Sequence, residues 1–174
     1  ETDLYWAGDT HHVFVHMEYV DYPDYFYGVG NETDTGAREK YTSRAPALQM
    51  RYLRKIGRAL YTGVQYEGSS YTLHDLEEEG MLQEGGVQGS GGGRTSGLSV
   101  IINVDSRDNV FSPGSGVYHF LSAGTFNSAL GSDYSYQRFT ADFRGYHTIA
   151  PGHVFAWQIY TEMMSGEVPF RSMA

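Results

Sequence analysis

Four groups of residues in this chain could carry chemistry, and each is best read by its spacing. His11, His12 and His16 suggest a metal ligand set. On extended chain, His12 and His16 share a face but stand about 13 Å apart at roughly 3.3 Å per residue, and His11 points the other way. One ion cannot take them together, so no metal is expected. The run Gly85-Gly86-Val87-Gln88-Gly89-Ser90-Gly91-Gly92-Gly93-Arg94-Thr95 invites a phosphate loop. Counting back from Gly93 puts Gln88 where the first glycine belongs, and Arg94 replaces the lysine. A flexible outer loop is the better account. Glu77, Glu78 and Glu79, with Asp75 and Glu84, lack the alternating oxygen spacing of a calcium loop and read as a solvated acidic stretch. Gly89-Ser90-Gly91 and Gly114-Ser115-Gly116 are not nucleophile elbows, so no catalytic serine and no cofactor are expected.

A fifth set is more regular. Arg51, Glu67, Asp105, Arg138, Asp142 and Arg144, with Gln49, Asn103 and Gln158, each fall on the polar side of a segment that alternates polar and apolar residues. What must position them is therefore a series of β-strands. Leu98, Val100, Ile102 and Val104 share one face of the clearest segment, while Ser99, Asn103 and Asp105 share the other with Ile101 as the exception. The same period recurs at Val13–Tyr19, Leu48–Tyr52, Leu60–Tyr66, Phe139–Phe143 and Phe155–Ile159, and Val117–Phe126 is a further strand whose faces are hard to rank. This makes about seven strands of roughly nine to eleven residues, against five or six residues in most soluble sheets.

Composition narrows the classes. Across 174 residues, 12 Lys+Arg against 21 Asp+Glu leave a net charge of −9, which argues against a nucleic-acid partner. There is no cysteine, so disulfides and thiolate chemistry are excluded. No stretch approaches the roughly 18 apolar residues of a membrane-spanning helix. The mean hydropathy of −0.43 does not exclude a transmembrane β-barrel, whose strands show lipid only every second residue. A soluble all-β domain and a piece of membrane barrel both survive.

The connections separate these two. Arg54–Arg58 and Thr148–Gly152 are tight, whereas Asp21–Lys40 and Asp75–Arg94 are long. Asn127–Asp133 is shorter and Ser106–Gly116 intermediate. Long connections thus collect at one strand end and short ones at the other, as in an up-and-down barrel with short periplasmic turns. A Greek-key sandwich has no reason to sort its loops so. In the barrel reading, Leu98, Val100, Ile102, Val104, Phe139, Phe143, Phe155, Trp157 and Ile159 face lipid, and Arg138, Asp142 and Arg144 are lumen charges.

The segment Asp105-Ser106-Arg107-Asp108-Asn109-Val110-Phe111-Ser112-Pro113-Gly114-Ser115-Gly116-Val117-Tyr118 resembles the strand–turn–strand signature of the bacterial surface-antigen family, the BamA/TamA-type barrels. Asp105, Ser106, Arg107, Asp108, Asn109, Pro113 and Gly116 carry that likeness. Pro113 fixes a backbone angle, Gly116 can relieve the turn, and Asp105 and Arg107 can pair near the barrel's end. Leu130–Tyr136, Arg144–His147 and the aromatic-glycine run Tyr25–Thr33 are similar to further family segments. The resemblance implies an all-β, antiparallel up-and-down meander that forms part of a transmembrane barrel in the bacterial outer membrane. It implies a factor that assembles or translocates proteins without bond chemistry, with outer-membrane lipids and unfolded outer-membrane or secreted clients as partners. The family's Val/Ile-Arg-Gly-Phe/Tyr loop motif does not occur in the sequence. About seven strands cannot close a barrel of roughly sixteen, so residues 1–174 are expected to be the amino-terminal part of such a domain. The rival expectations are a soluble sandwich that binds through tyrosine-rich loops, and an outer-membrane barrel with a lipid hydrolase or tethering role.

Overall fold

The computed structural model describes residues 1–30, 33 and 38–173. Its strands are β1 (Thr2–Trp6), β2 (His11–Phe26), β3 (Glu39–Lys55), β4 (Leu60–His74), β5 (Gly93–Asp105), β6 (Ser115–Phe126), β7 (Tyr136–Ala150) and β8 (His153–Gly166). All eight lie in a single sheet in chain order, each antiparallel to the next. The meander expected from the sequence is present, with one strand more. The described strands make one sheet rather than two stacked ones, which sets the sandwich alternative aside.

β1 escaped the periodicity because it offers only Thr2-Asp3-Leu4-Tyr5-Trp6 before the chain turns. That turn uses Ala7, Gly8 and Asp9 in the left-handed region, two of them without glycine's freedom. The other strands run past the expected lengths. β3 has 17 residues, roughly 55 Å at 3.3 Å per residue, well beyond the roughly 30 Å of hydrocarbon. β2 continues through Pro23, which sits opposite Thr42, so the connection after it shrinks to 27–38. Asn31 and Glu32 of the aromatic-glycine run lie outside the described residues.

The sorting of connections is sharper than in the sequence. At one end lie residues 27–38, 75–92 and 127–135; at the other lie 7–10, 56–59, 106–114 and the two-residue turn Pro151-Gly152. The long end holds most of the buried core. Phe26, Tyr41, Leu82 and Phe170 form one cluster, and Ala45, Tyr71, Phe126, Tyr134 and Tyr136 form another. Phe170 meets the rings of Phe26 and Tyr41 edge-to-face at 5.4 and 5.8 Å. The glycine-rich loop is packed here rather than loose. Its Gly89 carbonyl accepts from the Tyr71 hydroxyl at 2.9 Å, its Gly92 carbonyl accepts from Tyr134, and Ser90 is buried.

Candidate functional site

The register defines two faces. On one, partners across all eight strands run Leu4, Val13, Tyr52, Val64, Val100, Ala123, Phe139 and Met163. The adjacent row runs Thr2, Val15, Met50, Tyr66, Leu98, Thr125, Gln137 and Ser165. Neither row contains a charge, yet their members are largely exposed, Val100 at 63%. An exposed apolar surface of this extent needs a cover. All nine residues expected to meet lipid fall on this face, since Val104 lies opposite His119, His119 opposite Phe143, and Phe143 opposite Ile159.

Aromatic groups gather on this face toward the short turns. Trp6 stacks on His11 at 5.2 Å, and His11 Nδ1 and the Tyr52 hydroxyl are 2.8 Å apart. His119 meets Phe143 at 5.2 Å and Trp157 at 6.4 Å. This is where an aromatic girdle sits on a membrane barrel. The three amino-terminal histidines do not converge: His11 lies with Trp6 and Tyr52, His12 bonds to Asp3, and His16 lies 3.9 Å from Glu18.

The opposite face is polar and concave. Neighbouring strands stand about 4.8 Å apart, so residues three strands away are roughly 14 Å apart in a flat sheet. Nevertheless Arg138 on β7 pairs with Glu67 on β4, and the Arg51 guanidinium on β3 lies 5.0 Å from the Phe120 ring on β6. The sheet must curl toward this face to bring them together. Here Arg51, Glu67, Arg138 and Asp142 line a cleft of about 280 Å³, and Arg144 pairs with Asp142. Glu67 also accepts from Gln49 at 3.1 Å and Gln65 at 2.7 Å, and Gln65 accepts from Arg51 at 2.6 Å. Asp142 accepts from Arg144 Nε at 3.0 Å and from Gln158 at 2.9 Å. Each carboxylate is thus held by several donors, which a partly buried anion requires.

Aromatic rings complete the wall, a feature that sequence reasoning missed. The Tyr118 ring takes the Arg107 and Arg144 guanidinium groups at 4.8 and 5.3 Å, and Phe126 lies 5.1 Å from Arg138. Arg51 is also 5.3 Å from Phe14. These rings offer their negative faces to guanidinium groups that are stripped of some water. They also explain why β6 was hard to rank: Tyr118, Phe120 and Phe126 are aromatic on the polar side. Ile101, the apolar exception on β5, is 1% exposed on this same side and lies opposite Gly63.

The turn 106–114 is built from its own side chains. Arg107 donates to both Asp105 oxygens at 2.9 and 2.6 Å, as expected from their spacing. Asp108 Oδ1 accepts from the Gly114 and Ser115 backbone N–H groups at 2.9 and 3.1 Å, which holds its carboxyl below the usual carboxylate range. Asn109 accepts from Phe111 and Ser112, and Ser106 Oγ accepts from the Val117 N–H. Gly116 sits at φ +100°, and a side chain there would press on the Ser106 backbone. At the long end, Asp133 accepts from the Arg94 side chain and its backbone N–H, and its carboxyl is likewise held low.

No curated protein and no solved structure matches the chain. A family model does: the Omp85 superfamily domain matches residues 5–172, which takes in seven strands whole, the last two residues of β1, both faces and the signature turn. The BamA/TamA-type likeness read from Asp105–Tyr118 points the same way. With an eight-stranded antiparallel meander matched over nearly its whole length, the chain belongs to the Omp85 superfamily, a group of outer-membrane protein assembly and translocation factors.

Proposed function

We propose that this chain forms part of the wall of an outer-membrane β-barrel that inserts or translocates other proteins, as BamA/TamA-type factors do. The observation that carries the reading is the pair of uncharged rows on one face of the sheet, backed by an arginine-carboxylate wall on the other. A body with lipid outside and water within favours both faces at once. In this reading Leu98, Val100, Ile102, Val104, Phe139, Phe143, Phe155, Trp157 and Ile159 meet hydrocarbon, and Arg138, Asp142 and Arg144 line the lumen. The 106–114 turn, tied by Asp105, Arg107 and Asp108, sits at the periplasmic end and the long connections face outward.

No bond is made or broken in this function. The wall acts through its shape and its edges, and the concave charges keep the interior wet while clients fold at the membrane. The superfamily's known work is assembly and translocation, which favours this reading over a lipid hydrolase or tether. The test is reconstitution of the full-length protein in phospholipid vesicles with an unfolded outer-membrane barrel as client. Faster client folding than in empty vesicles supports the proposal. Unchanged client folding by inserted protein, together with turnover of the vesicle lipid, would establish the hydrolase instead.

A further inference from the structure

We propose that the turn Arg54-Lys55-Ile56-Gly57-Arg58 is a docking surface for anionic phospholipid headgroups, in the leaflet at the short-turn end. This rests on the reading of the uncharged face as lipid-facing. That face carries charge at two levels. Towards the long connections lie Asp21, Lys40, Arg44 and Arg94, and towards the short turns lies Arg54, opposite His11 and Thr62. Along β3, Arg44 and Arg54 stand roughly 33 Å apart at about 3.3 Å per residue. A barrel's strand tilt of about 40° reduces this to about 25 Å across the membrane, the height of its apolar band. The two arginines thus mark the two headgroup levels.

The two levels are balanced differently. At the long end the protein answers its own arginines: Asp21 accepts from Arg44 at 3.0 and 3.1 Å, and Asp133 accepts from Arg94 at 3.2 Å. At the short end it does not. Arg54 and Arg58 are exposed, and neither side chain has a carboxylate or hydrogen-bond partner among the described residues. Lys55 lies over the Tyr61 ring at 5.6 Å, a contact that brings no counter-charge. The adjoining turn 7–10, whose Thr10 carbonyl accepts from the Lys55 N–H at 2.8 Å, holds one acid, Asp9. Among the described residues Asp9 forms no ion pair with any of the three cations. The acids near the next turn are already occupied, Asp105 by Arg107 and Asp108 by backbone N–H groups.

Three cations therefore gather at one headgroup level without an acid of their own, beside the aromatic group of Trp6, His11 and Tyr52. An anionic headgroup layer supplies the missing charge, whereas a zwitterionic one is neutral overall. Ile56, 58% exposed within the same turn, gains from burial at the acyl boundary of that layer.

Spin-labelled lipids test this with the full-length protein in phosphatidylcholine vesicles, once flotation with those vesicles has been checked. Labelled phosphatidylglycerol should be held at the protein surface about fivefold over labelled phosphatidylcholine, the gain of one cation at an anionic surface. Arg54→Gln with Arg58→Gln should remove most of that preference, and Arg44→Gln, at the other level, should leave it unchanged. High salt should remove it from the unaltered protein, which reads the same interaction without a substitution. A preference that persists in the double variant or in high salt overturns the docking surface, as does its loss in Arg44→Gln. Release of labelled phosphatidylglycerol by inorganic phosphate at constant ionic strength would identify a site for the free ion and overturn the lipid assignment. If the protein fails to float, the membrane reading itself is wrong and the docking surface falls with it. Flotation with equal association of the two lipids removes the docking surface alone.

Discussion

Replacing Val100 by arginine probes the apolar face at its centre. Val100 is 63% exposed and stands between Val64 and Ala123 on a row without charges. In a water-soluble sheet, so exposed a residue has little packing to lose, and its replacement should change stability by less than about 0.5 kcal/mol. In a bilayer the same guanidinium must be dragged toward the hydrocarbon midplane, at a cost of about 2–4 kcal/mol on a barrel's lipid face. The two settings thus differ by roughly 30-fold to several hundred-fold in the folding equilibrium. The assay is urea titration of folding into phosphatidylcholine vesicles, followed by the emission of Trp6 and Trp157. Glu78→Arg, on an exposed loop, serves as the control and should leave the midpoint almost unmoved. A Val100→Arg midpoint that also stays put would refute the assignment of this face to lipid.

Three further outcomes follow from the geometry. Glu67→Ala should destabilise by about 1–3 kcal/mol, because it leaves Arg138 without its carboxylate, and adding Arg138→Met should recover part of the loss in the same titration. Asp108 has a carboxyl held below its ordinary 3.8, so its stabilising contribution is complete above pH 3.8 and is lost as pH falls through the lower folded value. Asp108→Asn should therefore flatten the acid limb of a stability-against-pH curve below 3.8, and an unchanged limb would count against the turn's hydrogen bonds. Phe170→Ala should cost about 3–5 kcal/mol and expose the 75–92 loop to protease, since Phe170 is buried against Phe26 and Tyr41.

Much of the fold could be read before any coordinates, for a definite reason. A sheet that is apolar on one side and polar on the other must largely alternate, so Leu98–Asp105 and Phe139–Arg144 declare their faces by period. That the charges share the polar face was legible for the same cause, and Asp105 and Arg107 pair through a local spacing. The parts that were not legible depend on distant partners. Glu39 accepts from the backbone N–H groups of Met81 and Leu82, a contact across the long end that leaves no mark in either segment. The glycine-rich loop looked loose because its partners, Tyr71 and Tyr134, belong to other stretches of chain. β1 was too short to show a period, and the faces of β6 could not be ranked because the aromatic Tyr118 has its arginine partners, Arg107 and Arg144, outside its own strand.

The absence of native cysteine allows the central claim to be tested directly. Single cysteines at each position from 98 to 105, spin-labelled in the vesicle-inserted protein, report collisions with oxygen, which concentrates in lipid, and with a water-soluble nickel complex. The account predicts an oscillation of period two, with Leu98, Val100, Ile102 and Val104 favouring oxygen and Ser99, Ile101, Asn103 and Asp105 shielded from it. Equal access of nickel to both sets of positions would contradict it.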